Sequence, residues 1–595
     1  MTRPRPERQT DRPGGTPASN TVPIRDLGVI GDRRSAAVLD RMGRILWYCP
    51  CRFDGPSLLA GLLDPDGGEW RVEVEGARPG PRRYLDGSGM LETTLEHDAG
   101  RVTLLDWMTS GPDAPVGVLL REIGPSPVPV RLVLHPRPDY GRHAAQLSRS
   151  GEAVMIEQMA LHGSHPLRIE GDAAVMELPA GEAGWMLLSD GPLPPPDRAA
   201  IDGWRENSLA YWKTFDEAVD YQGVFKTEID EALRAIRLCT HEESSGTVAA
   251  VTTSLPEVPE GPRNWDYRYV WLRDAGMIVS ALLRLCKSDG EGERYLRFIC
   301  RSTGTSEHYP MAVFTDLDSQ TAPPETELPL AGWNGARPVR IGNGAADQLQ
   351  LDAFANVALA AKLLYREGKQ DERAHWDVVQ DICNFLTGCW QEPDHGIWEE
   401  GERLHYTSGK VVAACALESA AAYGDADEAK RWGDAAREIR DWVAAHCLTP
   451  EGAYAVHAGS DEVDVTAALF PVWDYCAADT PEMIATMTAL ERDWSPDGKL
   501  YWRRLQEADG RAEGVFVAAG FWVAQYWVMR GELERAREII EAGIAQGNDL
   551  GLFSEEADPR TGEMLGNIPQ AFAHAGLIGA VIDLNRALEA RKSNG

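Results

Sequence analysis

Basic residues are scarce in this chain: 59 Lys and Arg stand against 92 Asp and Glu, a formal net charge of -33 over 595 residues. A phosphate-gripping surface needs clustered Lys and Arg, so the balance argues against nucleic acid and anionic membranes as partners and favours a neutral substrate. Acidity also serves solubility alone. No run of about eighteen apolar residues occurs, so no segment reads as a membrane span. The N-terminal stretch MTRPRPERQTDRPGGTPASN lacks the apolar core of a signal peptide and reads, as residues 1–21, as a disordered tail. The ten cysteines are scattered, with only Cys49 and Cys51 close together and no CxxC, which suits a reduced, cytoplasmic setting.

Several catalytic signatures are missing as well. There is no HExxH, no cysteine set with zinc spacing and no GxSxG elbow, so neither a metal nor a serine nucleophile is expected. The stretch GNGAAD lacks the Rossmann spacing and no GK[ST] loop is present, so no nucleotide cofactor is expected either. His135, His405 and His574 read as structural.

What the chain does hold is length, tryptophan and two distinct hydrophobic periods. At 595 residues it exceeds what one core organises, and its nineteen Trp outnumber the needs of packing, a hint of flat apolar ligands. From Val22 the period is two: Trp70, Val72 and Val74 alternate with polar residues, as do Val128, Val130, Leu132 and Leu134. The segments 91–108, turning at Asp98-Ala99-Gly100, and 174–190 read as hairpins. An antiparallel β-sandwich over residues 22–200 follows. After the break GPLPPPD (191–197) the period becomes helical, with Ile229, Leu233 and Ile236 on one face, Trp376, Val379, Cys383, Leu386 and Trp390 on another, and Leu533, Ala536, Ile540 and Ile544 on a third. Residues 201–595 are therefore an all-α domain of paired helices, which periodicity alone leaves open as a toroid, a solenoid or a bundle.

Three segments carry candidate chemistry. In RNWDYRYVWLRDAG (263–276), aromatics including Tyr267 and Trp271 interleave with charges including Arg273 and Asp274. Apolar pyranose faces lie on aromatic rings and hydroxyls need paired donors and acceptors, so this mixture suits a sugar, although an ion-paired helix start with core aromatics has the same composition. In DHGIWEE (394–400), Glu399 and Glu400 follow Trp398. A carboxyl against an apolar ring keeps its proton longer, as a general acid requires, while a solvated acidic loop is the plainer reading. In NDLGLFSEEADP (548–559) a second pair, Glu555 and Glu556, appears. One carboxyl from each of two distant segments is the minimum set for glycoside hydrolysis. Between the first two segments, Arg337 and Arg340 precede a Gly-rich helix start and could anchor substrate hydroxyls or buried carboxylates.

These motifs, in this order, together with DLGVIGDRRSAAVLDRMGRILWYCPCRFDGPSLLAGLLD (26–64), PRPDYGR (136–142), TTSLPE (252–257), RPVRIGNGAADQLQLD (337–352) and SEEADPRTGEMLGNIPQAF (554–572), resemble glycoside hydrolase family 15, the glucoamylase-type enzymes, and its bacterial trehalases most of all. The resemblance covers nearly the whole chain after the tail. It implies an (α/α)6 barrel behind the sandwich and an inverting hydrolysis that releases β-glucose from the non-reducing end of an α-glucan or from a disaccharide such as trehalose. It places Glu399 at the general acid and Glu555 at the general base. Tyr267, Trp271, Arg273 and Asp274 fall at the terminal-sugar subsite, Arg337 in a similar Arg-Pro motif, and Trp398, Glu400 and Glu556 beside them. The segment TSEHYPMAVFTDLDSQTAPPETELP (305–329) and Ser408-Gly409 depart from the family pattern around the aglycone side. A catalytically silent carbohydrate-sensing protein and a phosphorylase on the same barrel are the alternatives. Oligomeric state stays open, a homo-oligomer included.

Overall fold

A computed structural model describes residues 21–85, 87–285, 290–366, 375–503 and 513–594. The expected disordered tail lies, apart from Thr21, outside the described residues. The N-terminal part is two facing antiparallel sheets. One has seven strands in the spatial order Gly28–Gly31, Ala36–Leu39, Ile45–Tyr48, Glu69–Glu73, Val130–His135, Ala173–Leu178, Arg168–Glu170. The other has eight, in the order Leu147–Ser150, Ala153–Ile156, Met159–Gly163, Gly184–Ser189, Val118–Ile123, Gly100–Met108, Leu91–His97, Arg78–Tyr84. Alternation drives burial: Trp70 and Val72 face inward on one strand, and Val130, Leu132 and Leu134 on its neighbour.

The hairpin expected at 91–108 is present, with His97 paired to Gly100. The one expected at 174–190 is not. Ala173–Leu178 pairs with Val130–His135, while Gly184–Ser189 pairs with strands of the other sheet, so the turn between them is an arch from sheet to sheet. The reason is burial on both strands: Ala174, Met176 and Leu178 fill one sheet's inner face, Met186 and Leu188 the other's. A hairpin would put all of them in a single sheet.

Helix α1 (Arg198–Glu217) begins at the Asp197 cap, whose carboxylate accepts from the Ala200 amide at 2.8 Å. It lays Ile201, Trp204 and Leu209 on Trp107, Leu120 and Leu187 of the eight-stranded sheet. Among the described residues eleven further α-helices follow: α2 (Lys226–Leu238), α3 (Leu272–Leu285), α4 (Glu291–Arg301), α5 (Leu351–Arg366), α6 (Trp376–Cys389), α7 (Thr407–Ala421), α8 (Ala426–His446), α9 (Pro481–Asp493), α10 (Val517–Met529), α11 (Leu533–Ile544) and α12 (Ala571–Asn594). They form an (α/α)6 barrel. The inner ring runs α3, α5, α7, the 3-10 helix Val465–Leu469, α10 and α12, and closes where α12 packs on α3. Helices α2, α4, α6, α8, α9 and α11 form the outer ring. The division is written in composition, because inner helices such as α10, VAAGFWVAQYWVM, are apolar nearly all round, whereas the outer α8 buries one stripe through Trp432, Ala436, Ile439 and Val443. Among the described residues, no helix is long and apolar enough to cross a membrane.

The barrel is fastened to the sandwich by buried hydrogen bonds. The buried Arg268 guanidinium bonds Asp266 through Nε at 2.8 Å and Nη2 at 2.7 Å, then reaches the Gly55 carbonyl at 2.9 Å and the Tyr140 hydroxyl at 3.1 Å. Trp47 Nε1 donates across the same junction to the Val251 carbonyl at 3.0 Å.

Candidate active site

The segments leading into the inner helices converge on one cavity of about 340 Å³. Trp271 precedes α3, Gln348 precedes α5, the Gly396–Glu399 loop precedes α7, Phe516 precedes α10 and Gln570 precedes α12, and all five segments line the cavity. Helix N-termini carry unpaired amides and a partial positive charge, so this end of the barrel favours anionic groups.

Alternation sorts the segment 265–271. Tyr267 and Trp271 face the cavity, whereas Asp266 and Arg268 point to the sandwich. Arg273 and Asp274, in the first turn of α3, face the cavity and bond each other, Nε to Oδ1 at 2.9 Å. Arg273 Nη1 also donates to the Ile397 carbonyl at 2.6 Å and to Glu399 Oε1 at 3.3 Å. Trp271 Nε1 donates to the same Glu399 oxygen at 2.7 Å. One oxygen of Glu399 is thus pinned by two donors, and its side chain is 22% exposed, toward the cavity.

Glu399 sits at φ 58°, a left-handed conformation that costs a non-glycine residue about 1 kcal/mol or more. Gly396, at φ 65°, makes the loop's path feasible, because a Cβ there would lie 2.7 Å from the Tyr406 ring. Burial raises the Glu399 carboxyl above the usual range, opposed by Arg273 and the Trp271 N–H and assisted by Asp274. The ring that touches Glu399 is therefore Trp271. The adjacent Trp398 lines the cavity, stacks on Trp522 and donates to Asp464 at 2.5 Å.

At another part of the wall, Val515–Phe516 pairs with Glu556–Ala557, which pairs with Met564–Leu565. Period two at this ribbon separates the acidic pair. Glu555 lines the cavity, and Glu556 turns beneath it. The Tyr267 hydroxyl lies 2.9 Å and 3.0 Å from the two Glu555 oxygens, and Arg503 Nη1 lies 3.5 Å from Oε1. Burial first, then the nearby Glu257, pushes Glu555 up to about 8, against Arg503 and the Tyr267 hydroxyl.

Beneath Glu555 a single nitrogen, Arg503 Nη2, contacts Glu257 at 2.8 Å, Glu513 at 2.6 Å and Glu556 at 2.9 Å. Arg263 adds a second cation, 2.6 Å from Glu257. Three carboxylates meeting in this way have the donor set of a cation site, but their shared charge partner is a guanidinium. Burial and the neighbouring Glu513 hold Glu556 far above the usual carboxyl range, whereas Arg263 and Arg503 overcome burial to lower Glu257.

Of the residues singled out from sequence, Tyr267, Trp271, Arg273, Asp274, Trp398, Glu399 and Glu555 share the cavity. Arg337 does not. It is exposed on the connection before the strand Val339–Ile341, with Nε 3.2 Å from the Ala331 carbonyl. Glu400 is also outside the cavity wall, its backbone tied to His395 by bonds of 2.8 Å and 2.7 Å. Glu257, Arg263, Arg503 and Glu513 escaped sequence reading because their meeting depends on chain segments about 250 residues apart. The Glu at the end of TTSLPE and the Arg that opens RNWDYRYVWLRDAG were the visible traces. His574 is structural: burial lowers it to about 3, and Nε2 accepts from the Phe553 amide at 3.2 Å.

An (α/α)6 barrel behind a β-sandwich, with two separately held carboxyls and an aromatic, Arg-Asp wall in one cavity, defines a glycoside hydrolase. Comparison with known proteins sharpens the class. The model of glycosyl hydrolases family 15 matches residues 231–538, and that of the trehalase-like N-terminal domain matches residues 16–176. The trehalase of Mycolicibacterium smegmatis is 32% identical over 96% of this chain and 93% of its own length. Trehalase 1 of Sulfolobus acidocaldarius is 30% identical over 93% and 98%. Among solved structures, a bacterial glucoamylase complexed with acarbose superposes over 95% of each chain with a TM-score of 0.69 at 12% identity, a likeness of fold. The chain belongs to glycosyl hydrolases family 15.

Proposed function

We propose that this enzyme hydrolyses α,α-trehalose by a single inverting displacement, with Glu399 as general acid and Glu555 as general base. The observation that carries the roles is the unequal holding of the two carboxyls. Glu399 has one oxygen pinned by Trp271 and Arg273, which leaves Oε2 to carry a proton toward the glycosidic oxygen. Glu555 has both oxygens within reach of the Tyr267 hydroxyl and a guanidinium nearby, an environment of donors that suits a carboxylate drawing a proton from water.

In the step itself, water attacks C1 of the sugar held against Trp271, Arg273 and Asp274 while Glu555 takes its proton. The C1–O bond breaks and its electron pair goes to the leaving oxygen, which receives the Glu399 proton. One glucose is released with inverted configuration as the β anomer, and the other leaves as the α anomer. The low end of the ligand-pocket range, about 300 to 1,000 Å³, agrees with one disaccharide better than with a polymer groove. The trehalases among the relatives point to the same substrate. Retention of both carboxyls in one cavity speaks against a catalytically silent role. Glucose release from trehalose, maltose, isomaltose and soluble starch is the test: trehalose is expected to be turned over fastest, and preference for starch would overturn the substrate.

A further inference from the structure

The cavity has a second end that the catalytic account leaves unused. The side chains of Asp274 and Glu555 lie deep, each 5% exposed, whereas Glu325 at the rim keeps 30% of its side chain exposed while lining the same space.

That presentation is built. Gly342, at φ 74°, lets the opposing strand approach so closely that a Cβ there would lie 2.4 Å from the Pro324 carbonyl oxygen and 2.6 Å from that of Pro323. The Pro323-Pro324 backbone is fixed by this contact just before Glu325. The Glu325 carboxylate then pairs through Oε1 with Arg340 Nε at 3.0 Å. Arg340 is held in turn: Nη1 donates to the Pro262 carbonyl at 2.8 Å, its amide donates to Ser254 Oγ at 2.8 Å, and its guanidinium covers the Trp265 ring at 4.5 Å from the centroid. Trp265 is a further wall of the cavity. A rim thus offers an aromatic ring beside an ion-paired, acceptor-only carboxylate, the pairing that a sugar's apolar face and adjacent hydroxyls match.

We infer that Glu325, seated by Arg340 beside Trp265, receives the hydroxyls of the leaving glucose and selects a second hexose at the mouth of the cavity. The inference rests on the disaccharide reading above. Terminal sugar and leaving sugar would then meet carboxylates at opposite depths of one pocket, Asp274 below and Glu325 above.

The test compares the full-length enzyme with Glu325→Gln and Glu325→Ala on two substrates, trehalose and α-glucosyl fluoride, whose leaving group has no hydroxyls. Loss of a hydrogen bond to a charged group is worth roughly tenfold or more, so kcat/KM on trehalose is expected to fall at least tenfold further than on the fluoride. The trehalose loss is expected mainly in KM, with Glu325→Gln milder than Glu325→Ala. Equal losses on both substrates, or none on either, would overturn the assignment. A wild type that cleaves the fluoride but not trehalose would instead remove the disaccharide reading on which it stands.

Discussion

Tyr267 and Trp271 meet edge to face with ring centroids 5.7 Å apart, and each faces a different carboxyl, Tyr267 Oη bonding Glu555 and Trp271 Nε1 bonding Glu399. Four residues apart in sequence, the two rings form the physical link between acids separated by more than 150 positions. Changes in either ring should therefore register at its own carboxyl.

Replacing Glu399 by Gln removes the proposed proton donor and keeps the shape. General acid catalysis contributes about 10² to 10⁴ in rate, so kcat on trehalose is expected to fall by that order. The loss should be much smaller on α-glucosyl fluoride, whose leaving group needs little protonation. Steady-state kinetics on both substrates checks it, and an equal loss on both would deny Glu399 the acid's role.

The pH profile has a definite sign. A base must be ionised, and Glu555 is raised to about 8 by burial and Glu257, so kcat/KM is expected to rise with pH through an apparent pKa well above 4.5. The Tyr267 hydroxyl stabilises the ionised form, so Tyr267→Phe should move this limb to higher pH. The acid works in the opposite sense. The Trp271 N–H lowers Glu399, so Trp271→Phe should raise it and carry the descending limb to higher pH too.

Arg503 is the cation shared by a buried group of four glutamates, and its removal leaves only Arg263, on Glu257, to offset their charge. Arg503→Met is expected to cost about 3 to 5 kcal/mol of stability, read as a lower denaturant midpoint. A midpoint unchanged from wild type would show that the cluster carries its own balance without the guanidinium.

How much of this was legible in advance depended on range. Local periods were enough for the change from strands to helices at GPLPPPD and for the buried faces of α2, α6 and α11. They failed at 174–190, because a turn between adjacent strands has the same composition whether it joins one sheet or bridges two. At the site, the order of the motifs singled out Glu399 and Glu555, and both line the cavity. Which member of each acidic pair faces the cavity was settled by geometry: strand alternation for Glu555 over Glu556, and the turn closed by Gly396 for Glu399 over Glu400. Arg337 looked the part by its motif, yet one connection carries it to solvent, and the cavity's cations are Arg263, Arg273 and Arg503.

Asp352 and Asp394 lie fully buried in the barrel near Arg273 and Lys410, raised by burial to about 7 and about 6. Since their folded values exceed the unfolded ones, the fold gains most at low pH and loses stability as pH rises from about 4 through 7, at up to about 1.4 kcal/mol per unit for each group. Asp352→Asn should flatten that slope. Denaturant unfolding at pH 5 and pH 8 reads it, and an identical slope in the variant would contradict the account.

The stereochemistry of the first turnovers tests the central claim most directly. Proton NMR of trehalose hydrolysis, recorded before mutarotation, is expected to show α- and β-glucose appearing in equal amounts, one from each half of the substrate. Glucose appearing as the α anomer alone would mean retention at C1, and would contradict the division of labour between Glu399 and Glu555.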